Sequence, residues 1–137
     1  MSETLGQHRS REYYVDMVEN RYFGNVDAKN LEGVLDCFRE DAVFTIQSAF
    51  TTHEGRDEGI RRMFENLFET YSPRIVHRDF GHIVDTENGC CSARFEVELV
   101  DGDGKELNYS NCNFFYLDAD GRFERVFVWF SGENVLV

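Results

Sequence analysis

Proline is nearly absent: one occurs in 137 residues, and with 11 glycines spread along the chain this excludes collagen-like and Pro-rich character. Basic residues are scarce as well. Fourteen Lys and Arg stand against 26 Asp and Glu, a net charge of −12. Such a chain is repelled by phosphate backbones and by anionic membrane surfaces, so neither nucleic acid nor membrane is an expected partner. No apolar run approaches the ~18 residues that would suggest a membrane span. Met1 to Ser10 is polar and lacks the apolar stretch of a secretory signal. A cytoplasmic address is expected. The four cysteines (Cys37, Cys90, Cys91, Cys112) form no CxxC pair and no regular framework, so they read as reduced thiols. The chain has no phosphate-cradling Gly-rich loop and no nucleophile elbow, and its histidines have no metal-ligand spacing, so no metal and no cofactor are expected.

Apolar mass is plentiful. The chain is 42% apolar and 15% aromatic, with 13 Phe, enough for a real core. Its length fits one domain, expected over 11–137 after a polar tail at 1–10. Tyr14, Val15, Val18, Tyr22 and Val26 recur at helical spacing. A short connection around Asp27 to Asn30 leads to a second stripe, Leu31, Val34, Leu35 and Phe38, with Asn30 as N-cap. Ala42 to Ile46 reads as a short strand and Gln47 to Glu54 as a loop. A third helix starts near Gly55 and carries Ile60, Met63, Phe64, Leu67, Phe68 and Tyr71, and Pro73 ends it. The remainder is strands joined by turns at Thr86–Gly89, Asp101–Gly104 and Asp118–Gly121. Helices followed by consecutive hairpins predict an α+β fold, with the helices packed on one face of an antiparallel sheet. The last two strands are apolar on both sides, since Phe114, Tyr116, Phe127 and Trp129 alternate with Phe115, Leu117, Val126, Val128 and Phe130. The helices can cover one face only. The other predicts a homodimer through the outer sheet face.

Arg21-Tyr22-Phe23, then Val26 to Leu35, then Cys37 to Phe44 resemble the opening of the nuclear transport factor 2-like superfamily, which holds the SnoaL-like cyclases, steroid delta-isomerases and scytalone dehydratase. Gly55 to Phe64 is similar to that superfamily's third helix, and Asp120 to Phe130 to its closing hairpin. The resemblance spans roughly residues 11 to 132 and implies a cone-shaped fold, three N-terminal helices over a curved sheet, enclosing an apolar pocket for a small hydrophobic molecule. It implies a small-molecule-binding protein, a cofactor-free isomerase, dehydratase or cyclase acting on an apolar carbonyl or hydroxyl compound. The alternative is a non-catalytic dimeric ligand-binding module of the same fold.

The candidate residues follow. Tyr22 falls where steroid isomerases carry an oxyanion-hole tyrosine, and a phenol there donates to charge developing on a carbonyl oxygen. Asn113 falls where they keep a protonated carboxyl, and an amide can donate without a raised pKa. The isomerase base position is Ile46, which cannot accept a proton. His77 stands where scytalone dehydratase places a catalytic histidine, and imidazole can take and return a proton near neutral pH. Asp79 at i+2 shares its face on an ideal strand and is the expected orienter. His82, five residues on, is expected on the opposite face, and His53 in a loop near the pocket mouth. Asn111, Phe115, Val126, Val128 and Phe130 are expected to contact the ligand.

Overall fold

Ser10 opens the first helical run: its backbone is extended and its hydroxyl oxygen accepts from Tyr13 N–H at 3.2 Å, the geometry of an N-cap. The structure, a computed structural model, describes residues 9–137, so the expected polar tail lies outside the described residues as far as residue 8. From Ser10 the helix α1 (Arg11–Asp16) passes into a π-helical stretch (Met17–Phe23) and on into α2 (Gly24–Asp27), with right-handed backbone at both junctions. The widened turn brings Met17 and Val18, and then Tyr22 and Phe23, to the core as adjacent pairs. Asn30 caps α3 (Leu31–Leu35), accepting from Gly33 N–H.

The strands are β1 (Phe38–Ile46), β2 (Thr51–Glu54), β3 (Arg74–Asp85), β4 (Cys90–Val100), β5 (Glu106–Leu117) and β6 (Phe123–Trp129). A π-helical turn (Gly55–Ile60) leads into α4 (Arg61–Thr70) between β2 and β3. All six strands form one sheet in the order β2-β1-β6-β5-β4-β3, antiparallel except for the parallel pair β1–β6. This is the expected α+β architecture, a curved open sheet with its helices on the inner face. Two elements depart from expectation. Phe38 belongs to β1 and not to the second helix, and Thr51–Glu54, expected as loop, pairs with β1 as the edge strand β2.

The core is an aromatic cluster. The Tyr22 ring meets Phe23, Phe38, Phe64, Phe115 and Phe123 at centroid distances of 4.6, 5.8, 6.1, 5.7 and 5.4 Å, mostly edge to face. These contacts fix the helical run against the sheet and α4. They also set which part of the interior is filled and which stays hollow.

The strand β3 carries the feature that decides the site. Arg78 faces Glu96 and Gly81 faces Arg94, so β3 spends one more residue than its partner between those pairs. The extra residue is a β-bulge in which Asp79 adopts a left-handed backbone (φ 58°). A bulge inverts the alternation of side chains beyond it. Ile75 and His77 face inward before it; Phe80, His82 and Val84 face inward after it. His82 is therefore not on the outer face: its side chain is 6% exposed and its Nε2 pairs with Glu19 of the helical run.

Candidate functional site

β3 is the outer strand of its end of the sheet, so alternate backbone N–H groups on it have no ladder partner. At His77 that partner is Asp27, the last residue of α2. One carboxylate oxygen accepts from the His77 backbone N–H at 2.9 Å, and the other lies 2.6 Å from the ring Nδ1. A carboxylate only accepts, so Nδ1 carries a proton, and in the neutral ring Nε2 is the nitrogen with the free lone pair. The ring is pinned further by Phe23, stacked on it at 4.3 Å, and by Phe95 at 5.4 Å. Position, tautomer and plane of the imidazole are all set by the protein.

His77 lines a partly open cavity between the helices and the sheet, with a volume of about 40 Å³. Tyr22, Asn111 and Asn113 line the same cavity, and the rest of the wall is apolar. Tyr22 is 2% exposed and burial holds its phenol well above the ordinary tyrosine value, so it stays protonated and able to donate. Asn111 and Asn113 sit two residues apart on β5, facing inward, 5% and 3% exposed. The Asn111 Oδ1 is occupied, accepting from Ser131 N–H at 3.2 Å. Asn113 Oδ1 is buried without a partner; among the described residues the other such side-chain atom is His82 Nδ1. The two lie in one cross-strand row, His82–Ala93–Asn113–Val128.

Beyond β6 the chain turns back over the cavity. Val135 and Leu136 line it. The strap is tied down where Ser131 Oγ accepts from Ser110 N–H at 3.0 Å, where His53 Nε2 meets the Leu136 carbonyl at 3.0 Å, and where Asn66 Nδ2 donates to the Val137 carbonyl at 2.9 Å. His53 thus sits on β2 holding the strap, where a loop position had been expected.

The structure brings Tyr22, His77, Asn113, Asn111, Val128 and Phe130 to one cavity. Three expected residues are elsewhere. Asp79 is exposed and ion-paired to Arg78, because the bulge turns it off the inner face; Asp27 occupies the orienting position expected for it. Phe115 and Val126 are fully buried but do not line the cavity. They face each other one row beyond Asn113 and Val128, where the Tyr22 and Phe123 rings fill the space. Asp27 is the residue that sequence reasoning missed.

The SnoaL-like domain family matches residues 20–126, well over half of the chain. This chain belongs to that family. The solved structures agree on the fold. A protein of Xanthomonas campestris pv. campestris, provisionally assigned as a polyketide cyclase, superposes with a TM-score of 0.75 at 19% identity, covering 87% of this chain and 90% of that one. SalBIII, an epoxide hydrolase/cyclase-like enzyme of pyran ring formation in the polyether salinomycin, gives 0.72 at 16% identity over 89% and 93%. A Novosphingobium aromaticivorans protein, provisionally assigned as an aromatic ring hydroxylase, gives 0.70 at 27% identity over 90% of each chain. No functionally curated protein matches the sequence. No helix among the described residues is long and apolar enough to cross a membrane.

Proposed function

We propose that this SnoaL-like domain binds a small apolar carbonyl compound and moves a proton on it, as an isomerase, dehydratase or cyclase does, without a cofactor. The observation that carries the reading is the Asp27–His77 pair, 2.6 Å apart, opening onto an apolar cavity that also holds Tyr22 and Asn113. His77 Nε2 takes a proton from the carbon next to the carbonyl. Asp27 stabilises the imidazolium that forms. Tyr22 donates to the oxygen on which negative charge collects, joined by the side-chain amides of Asn113 and Asn111. The imidazolium then returns the proton to another carbon, which is isomerisation, or to a departing hydroxyl, which is dehydration. In a cyclase the carbanion attacks a second carbonyl, whose oxygen takes the electron pair of the broken π bond and then the proton from the imidazolium.

All three outcomes start from the same enolisation, so one assay tests them together. In D₂O, α-tetralone should exchange its α-protons in the presence of the protein, followed by proton NMR. His77→Gln should slow that exchange by roughly 10²-fold or more. Exchange equal in the variant, or absent from the wild type while tetralone binds, removes the catalytic reading and leaves the non-catalytic ligand-binding module. The domain is proposed to work as a cytoplasmic homodimer. Phe114, Tyr116 and Trp129 are 39%, 38% and 40% exposed on the sheet face away from the helices, beside Phe127. Light scattering should give about 32 kDa, twice the 16.0 kDa chain, and a monomer would refute the pairing.

A further inference from the structure

We infer that the cavity selects an uncharged ligand carrying at least two hydrogen-bond-accepting oxygens, and discriminates against anions. The inference rests on the proposed ligand-binding reading of this cavity and specifies the chemistry of what enters.

The free hydrogen-bonding atoms of the cavity wall set this preference. Asp27 consumes the His77 Nδ1–H, so the neutral ring offers the cavity one lone pair at Nε2 and no donor. Ser131 N–H consumes the Asn111 Oδ1, so that amide is locked in one orientation and has its NH₂ group left to give. Asn113 lines the cavity with its Oδ1 unpartnered, so no hydrogen bond fixes its amide and it can turn the NH₂ group to an acceptor on the ligand. The Tyr22 hydroxyl makes no hydrogen bond to a described residue and adds a fourth group, one that can donate and can also accept. Three groups can therefore donate, and the one that only accepts, His77 Nε2 of the neutral ring, is reserved for the proton in transit. Buried donors demand acceptors, because each one left unpaired costs its desolvation. A ligand with one carbonyl satisfies part of the set, and one with two oxygens satisfies more.

Charge sharpens the choice. No Lys or Arg lines the cavity. The Asp27 carboxylate stands immediately behind His77, and the whole chain carries −12. A carboxylate or phosphate brought into this interior meets no counter-charge and loses its hydration.

The test uses four stable bicyclic probes of similar size: tetralin with no acceptor, α-tetralone with one, chromanone with two, and chromone carboxylate as the anion. Affinity is measured by titration followed through the side-chain amide signals of Asn111 and Asn113 in ¹⁵N-labelled protein. Each added acceptor should tighten binding roughly three- to tenfold, with downfield amide shifts, and the carboxylate should bind least. In Asn113→Leu, tetralin should bind at least as well as in the wild type, while the advantage of chromanone shrinks by one such step. If that variant does not fold, the wild-type ranking alone decides. Equal affinity for tetralin and chromanone, or tightest binding of the carboxylate, overturns the inference and leaves the binding reading standing. Absence of any shift with all four probes overturns both.

Discussion

Replacing Asp27 by asparagine changes the chemistry of the site while adding and removing almost no volume. In the native protein the carboxylate accepts twice from one residue, from the His77 backbone N–H at 2.9 Å and from the ring Nδ1 at 2.6 Å. An asparagine can keep the first bond through its Oδ1. Its NH₂ group then faces Nδ1 and can only donate, so the imidazole must move its proton to Nε2. The atom facing the cavity becomes a donor where a base is needed. The expected result is a folded protein whose α-proton exchange falls roughly 10²–10⁴-fold, the range for a general base held in the wrong tautomer. The stability loss should be small in Asp27→Asn and about 2–3 kcal/mol in Asp27→Ala, where a charge-assisted bond disappears outright. The tautomer is visible without any substrate. Ring ¹⁵N shifts of His77 should report a protonated Nδ1 in the wild type and a protonated Nε2 in Asp27→Asn. An unchanged ring spectrum refutes the assignment of Asp27 as orienter. A switched tautomer with undiminished exchange refutes His77 Nε2 as the base.

Three further outcomes are expected. Tyr22→Phe keeps every ring contact of the aromatic cluster and removes a hydroxyl that no described residue binds; its melting temperature should stay within a few degrees of wild type while proton exchange drops roughly 10²-fold. Leu136→Ala removes a strap side chain that is 8% exposed and borders the cavity, so urea unfolding should show a loss of about 1–3 kcal/mol and stopped-flow binding of α-tetralone should be faster; a rate unchanged in the variant would mean that ligands enter elsewhere. Burial pushes the Cys37 and Cys91 thiols up to about 12 from an ordinary value near 9. Above pH 9 the unfolded chain sheds these protons while the native chain keeps them, so stability falls as pH rises, by about 1.4 kcal/mol per pH unit per thiol until the native thiols ionise. Urea midpoints compared at pH 8 and at about pH 11 should record that loss, and a Cys37→Ala/Cys91→Ala protein should show a flatter profile.

The fold was legible because its signals are local and repeated. Alternation from Cys91 to Leu99, the turns at Asp101–Gly104 and Asp118–Gly121, and Pro73 after a helical stripe each name an element by themselves. The short polar run Thr51–Glu54 gave no such signal, since an edge strand is defined by its partner β1. The π-helical turn over Met17–Phe23 leaves no compositional trace. Of the site, Tyr22, His77 and the two asparagines stood out as polar groups within apolar patterns or as matches to a resemblance. Asp27 did not, because it is one carboxylate among 26 acidic residues and meets His77 across 50 positions of chain. Asp79 was preferred for being close along an ideal strand, and the backbone at that very residue is what breaks the ideal.

That break has a reach beyond its own loop of backbone. Straightening the strand at 79 with every residue kept would turn the rest of β3 inside out: Ile83, now 75% exposed, would be driven toward the interior, and His82 would be pulled from Glu19 into water. Both imidazoles can meet carboxylates of the same helical run only because the odd count between them has been made even. Sequences related to this one should carry at position 79 a residue that accepts a left-handed backbone, glycine and asparagine foremost, or lack that one residue altogether, and should not carry one residue more.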